Sequence, residues 1–319
     1  MNRWVFYILG GACSLSGIGI SQGISAPTDI GSPDVYLHVD LIRQELEELR
    51  AYMGRPKDSK PELVVSGAEP REVFFQVISL FQKSDRLCFE HTRERSVLDE
   101  RQYAGSIRPK DVYRIVDKAL KRIQLVKTKY QLDKGSRATA RDPSKTPSDV
   151  FRSIVQANRQ LNILLDQQVS PSDVYQQVTL AIGYAEKLLG LFPGVETMPT
   201  APGYEPDKMP QDVYGSLLAS YGTLRAIFIS SGLEALELEG QGDSFITDVA
   251  PSDVYDNASL VVSELDYLHN QSGAPLPRKV YYPGRKFPSD VYQRTGILDA
   301  QLQQLQGLVG NNAGWLTSE

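Results

Sequence analysis

Three histidines (His38, His91, His269) and two cysteines (Cys13, Cys88) are the side chains of this 319-residue chain best suited to bond-making chemistry. Cys88 and His91 stand three residues apart, which on a helix puts thiol and imidazole on one face; a charged imidazole there would lower the thiol pKa and activate a nucleophile. The local sequence Leu87-Cys88-Phe89 is instead the setting of a small buried hydrophobe, and His91 runs into Arg93 and Arg95. The histidines fall in separate segments, without the His-x-x-x-His or His-Glu-x-x-His spacing of a metal-binding helix. No serine stands in a Gly-x-Ser-x-Gly elbow, and there is no glycine-rich phosphate loop. Glu45, Glu47 and Glu48 read as a solvated face and lack the spaced Glu and His partners of a di-iron bundle. The expectation is a protein that is not an enzyme and holds neither cofactor nor metal.

Eight further carboxylates recur at fixed spacing: Asp34, Glu72, Asp111, Asp149, Asp173, Asp212, Asp253 and Asp290. Such a set could be taken for a metal or sugar site, but each lies one or two residues after a proline and just before a valine and an aromatic. The full motif is Pro-x-Asp-Val-Tyr, as in Pro171-Ser172-Asp173-Val174-Tyr175; Pro70-Arg71-Glu72-Val73-Phe74 is a variant and Pro33-Asp34-Val35-Tyr36 is one residue short. Proline suits the first helical position, where its missing N–H would have had no partner. An acid at the third position can bond back to a free amide and favours the positive end of the helix dipole. Thr146, Ser170 and Ser32 are suitable caps, whereas Met209, Ala250 and Phe287 are not, so the acid is the more constant device. These eight acids are therefore expected to start helices, with valine and the aromatic opening the buried face.

The segments after the motifs have helical periodicity, with Val112, Val116, Ala119, Ile123, Val126 and Tyr130 recurring at three and four. Period-two patterning is missing, and the fold class is all-α. The acids are separated by 38, 39 and 38 residues, then 24, then 39, 41 and 37. The short step divides the chain into two sets of four, the pattern of a duplicated four-helix unit. The expected division is a signal peptide at 1–26, a basic unit at 27–168 and an acidic unit at 169–319, with long ordered loops rich in Pro, Gly and Tyr. Such loops are long enough to run back along a helix. Helices starting from one pole in parallel and an up-and-down order both remain open.

Residues 27–168 carry 25 Lys and Arg against 21 Asp and Glu, net +4; residues 169–319 carry 8 against 18, net −10. The densest basic run is 108–145, where Lys118, Lys121, Arg122, Lys127 and Lys129 fall largely off the apolar face and form a candidate docking site. Tyr204, Tyr281 and Tyr282 in the long loops could line or cover a pocket. Met1-Asn2-Arg3, an apolar run and small residues up to Ala26 have the form of a secretory leader. Cys13 is a candidate lipid anchor, but it lacks the larger aliphatic expected three residues earlier, so simple cleavage is the preferred reading. No second apolar run is long enough to span a membrane. Export and a net charge of −5 argue against nucleic acid as a partner. The reading is an exported bacterial binding or scaffold module, periplasmic or secreted, for a protein or anionic envelope component. The alternative is a periplasmic small-molecule-binding or sensory accessory protein, with its ligand between helices or under the loops.

Overall fold

A computed structural model describes residues 30–98, 107–132, 140–165, 169–239, 249–278, 280–312 and 314–316. The leader with Cys13, and the expected boundary at 167–168, lie outside these residues. The described residues form eight α-helices: α1 (Ser32–Tyr52), α2 (Pro70–Thr92), α3 (Pro109–Lys129), α4 (Pro147–Leu164), α5 (Pro171–Leu189), α6 (Pro210–Ser230), α7 (Pro251–Ser272) and α8 (Pro288–Gly310). The chain is predominantly helical. Two three-residue strands that the sequence did not announce, β1 (Val64–Ser66) and β2 (Glu237–Glu239), pair antiparallel with Val65 opposite Leu238.

Every helix begins at a motif. In all eight, the acid at the third helical position accepts a hydrogen bond from the amide of the capping residue, at 2.7–3.1 Å. Only at Thr146 and Ser170 does the amide of the acid also donate to the hydroxyl oxygen of the cap. In α1 the cap is Gly31 rather than Ser32, and proline has moved to the second position while Asp34 keeps the third. The acid thus sets the register, and proline tolerates a step. All eight motif valines are buried.

The first four helices pack in a closed ring in which α1 touches α3 and α4, and α2 touches α3 and α4; consecutive α1 and α2 are diagonal. The last four repeat this order, with α5 and α6 each packed between α7 and α8. In the first ring, Pro70, Pro109 and Pro147 meet Val35, Val73, Val112 and Val150 around one apolar dimple, so all four helices start at the same pole. Connections of 15 to 20 residues make the parallel order workable, because each must return the chain over a helix about 30 Å long.

Two of the returning loops are seen to lie against helices along their described residues. The α5–α6 loop descends α8, with Gln301 Nε2 donating to Thr197 O (2.8 Å), Gln293 Nε2 donating to Pro202 O (2.8 Å) and the Lys208 amide donating to Ser289 Oγ (3.1 Å). The α7–α8 loop descends α5, where Pro277 rests on Gly183 and Gln176 donates to Val280 O. Gly183 and Gly296, breakers in a helical pattern, lie under prolines of the returning loops: a Cβ on Gly296 would stand 2.7 Å from Pro202, too close to fit, and one on Gly183 would stand 3.1 Å from Pro277, a tight contact.

The two rings join through α2 and α7, with β1 and β2 beside them. Arg71 near the start of α2 reaches Glu264 midway along α7, while Lys83 further along α2 meets Asp256 near the start of α7. These two helices are therefore antiparallel, and the second ring is inverted on the first.

Candidate functional site

The side chains with chemical potential are mostly engaged inside the bundle. Cys88 is buried and its sulfur contacts Thr92 Oγ1 at 3.3 Å. His91 Nδ1 is 2.7 Å from Tyr130 Oη, so the imidazole faces a phenol rather than the thiol. His38 lies 4.0 Å from Asp117, and its ring packs on Tyr113; burial lowers its pKa, with Asp117 partly opposing. His269 is buried against Tyr184. Among the described residues no group of three or more His, Cys, Asp or Glu is gathered as a metal site.

The basic run is divided by the fold. Arg122 is buried, paired with Asp85 at 2.9 Å and with the Glu94 carbonyl. Lys127 is buried between Glu45 and Glu48. Both face inward because a helix of 21 residues winds its 3.6-residue period past them. Lys118, Lys121 and Lys129 stay on the outer side, where Lys121 pairs with Asp117 at 2.7 Å; Arg108 and Arg114 join them, each more than 60% exposed. The described end of the α3–α4 loop is anchored: Arg141 binds Asp34 at 2.7 Å, and Lys145 stands over the Tyr36 ring. The Arg141 guanidinium, with the Gly31 amide assisting, holds the Asp34 carboxyl below its ordinary value against the effect of burial.

The loop tyrosines do not converge. Tyr204 and Tyr281 are exposed on separate loops, while Tyr282 stacks edge-on against Tyr175 and meets Arg294. Tyr282 covers the start of α5, and none of the three lines the cleft described below.

Neighbouring helix starts are tied by a second device that lies outside the Pro-x-Asp-Val-Tyr motif. The residue two before the proline serves the next helix round the ring. Lys145, Lys208 and Lys286 place their ammonium groups 4.1–4.8 Å from the centroids of Tyr36, Tyr292 and Tyr175. The amides of Ala68, Lys208 and Lys286 donate to Ser148, Ser289 and Ser172, the serines between proline and acid, at 3.0–3.1 Å. The signal was the Lys-x-Pro spacing at 145, 208 and 286.

The junction between the rings concentrates buried charge. Arg71 Nη2 is 2.7 Å from Glu72, and its guanidinium lies over the rings of Phe228 and Tyr267. Glu264 is buried beside Glu72, with no amide or hydroxyl donor reaching either of its oxygens. Two carboxyls so placed out of water oppose each other's ionisation. Burial, reinforced by the Glu72 charge, pushes Glu264 well above the usual glutamate range; burial likewise raises Glu72 against the opposing effect of Arg71. The departure of Pro70-Arg71-Glu72 from Pro-Ser-Asp was the available signal, since this copy faces another ring instead of solvent.

At the other end of the junction, a cleft of about 290 Å³ opens between the ends of α1 and α4 and the starts of α5 and α7. Arg55, Lys60, Arg159 and Asn162 approach from one side, and Ser252 and Asp253 from the other. Lys60 forms an ion pair with Asp253 across it. No family model, no curated protein and no solved structure matches this chain. No described helix is long and apolar enough to cross a membrane.

Proposed function

We propose that this protein is a non-enzymatic, exported binding or scaffold module whose docking face is the outer side of α3. The observation that carries the reading is the contrast between charge enclosed in the bundle and charge left on its outer side, where Arg108, Arg114 and Lys121 meet only the partly exposed Asp111 and Asp117 of their own helix. Motif acids cap helices, Arg122 and Lys127 are paired inside, but Arg108, Arg114, Lys118, Lys121 and Lys129 leave a row of cations along one helix. Such a row attracts an acidic protein or an anionic envelope component, and salt weakens the attraction. The leader-like start supports a periplasmic or secreted location for the mature chain.

In the same reading the two rings descend from one duplicated four-helix unit. Supporting this, their helices pack in the same cyclic order, and three of the four corresponding residues before the cap are alike: Ile30 with Val169, Ile107 with Val249, and Lys145 with Lys286, but not Ala68 with Lys208. The function test is binding of the mature chain to its own envelope fraction at increasing salt, for the native sequence and for Lys118→Glu with Lys121→Glu. Binding that falls with salt and with the reversal is expected. Binding indifferent to both removes α3 as the docking face. A second reading, carriage of a small molecule, is favoured by the junction cleft.

A further inference from the structure

Four helices carry a serine between proline and acid, and Ser148, Ser172 and Ser289 each accept the amide of a neighbouring start; Ser252 of α7 does not, and the cleft opens there. Around the second ring, the residue before the α6 cap serves Ser289 of α8, and the residue before the α8 cap serves Ser172 of α5. By the same order Val169, before the α5 cap, would serve Ser252 of α7. No such bond forms; Val169 and Ser252 both line the cleft instead.

Donors face the opening from both rings, with the carboxylates of Asp58 and Asp253 among them. Ser252 occupies the second position of a 22-residue helix, so its amide is among those without an intrahelical acceptor, at the positive end of the dipole. Its hydroxyl stands beside that amide. From the first ring come Arg55 and Arg159, the latter giving Nη1 to the Pro61 carbonyl at 2.8 Å. Lys60 is balanced by Asp253, and Asp58 offsets part of the remaining charge, leaving the lining net positive by one. The volume is near the lower end for small-molecule sites and suits a metabolite rather than a macromolecule.

We propose that this cleft binds a small organic anion, a carboxylate or phosphate ester, held between the amide and hydroxyl of Ser252 and the guanidinium of Arg159. A helix N-terminus combined with a planar cationic fork is a recurrent way to hold either group. The proposal deepens the small-molecule reading and is independent of the α3 docking face, whose assay it leaves untouched.

The probes are sodium succinate and sodium phosphate, each compared with sodium chloride at equal ionic strength, on the full mature chain. At about ten times a millimolar Kd, binding to the folded state raises Tm by about 2 °C, and calorimetry gives a saturable one-site isotherm. A response to succinate alone assigns a carboxylate, to phosphate alone a phosphate ester, and to both a site that accepts either. Arg159→Met and Ser252→Val each abolish the shift and the isotherm. Because Arg159 also holds the Pro61 loop, Ser252→Val keeps the test decisive if the arginine variant fails to fold. Shifts no larger than those in chloride, or saturation unchanged in Ser252→Val, overturn the proposal.

Discussion

Seven aspartates and one glutamate hold the third position of the eight helices, and the glutamate stands where the two rings meet. Its longer side chain gives one oxygen to the cap amide of Glu69 at 2.8 Å and turns the other toward Arg71. Glu72 thus keeps the capping role while joining a buried cluster with Glu264. That cluster makes stability depend on pH in a direction opposite to that of an exposed ion pair. Glu264 has a folded-state pKa raised above the ordinary 4.5 by burial and by Glu72. The folded protein therefore retains a proton that the unfolded chain releases. Its contribution is complete below the unfolded value and is lost as pH rises through the folded one. Asp34 acts in the other sense: Arg141 lowers its pKa, so its contribution is present above the unfolded value and fades as pH falls through the folded one. Thermal unfolding of Glu264→Gln should show a flatter alkaline decline than the native protein while keeping the acid limb. Parallel alkaline slopes would mean that Glu264 is not raised by its burial beside Glu72.

At the scale of the element, close approach separates two kinds of glycine. A Cβ on Gly296 would sit 2.7 Å from Pro202 Cγ, a contact that forces the α5–α6 loop off α8. Gly222 has nothing within 4 Å of the same position. Gly222→Ala should be neutral or stabilise by about 0.5–1 kcal/mol, because alanine is the better helix former. Gly296→Ala should destabilise by about 1–3 kcal/mol through overpacking; equal effects in urea unfolding would show that the loop does not rest on the helix. Both glycines interrupt a helical pattern in sequence, and nothing local tells them apart, since the distinction lies in a loop some ninety residues away. The helix starts were legible because their cause is local: proline, acid and valine act within one turn. Parallel order was not legible, because it depends on Gln176, Gln293 and Gln301 holding distant loop carbonyls. The fate of Arg122 and Lys127 was likewise hidden. Their acidic partners Asp85, Glu45 and Glu48 belong to other helices, and an outward lysine and an inward one read alike.

For the whole molecule, the question is what joins two rings of opposite net charge into one body. The pairing is asymmetric: the second helix of the first ring meets the third helix of the second, and α3 and α6, which occupy the corresponding places, do not pack together in the same way. The contact is held by ionic groups as well as by apolar area, with Arg71 and Glu264 at one end, Lys83 and Asp256 in between, and Lys60 with Asp253 at the cleft. Lys83 is 2.8 Å from Asp256, and its side chain is almost wholly enclosed. Burial raises the Asp256 pKa, while the charge of Lys83 opposes that rise. Removing one partner from such a pair leaves the other charge without compensation, at a cost of about 3–5 kcal/mol; replacing both by apolar groups of similar volume is often neutral. Lys83→Met should therefore lower stability by about that amount, and Lys83→Met with Asp256→Leu should recover most of it. A double-mutant cycle by urea unfolding measures the coupling. It also reads how the rings cooperate: with a tight junction the native chain unfolds in one transition, and Lys83→Met separates it into two as each ring melts alone. If the single variant costs less than about 1 kcal/mol and the transition stays single, the pair is solvated, and the rings are held together by the strands and apolar contacts instead.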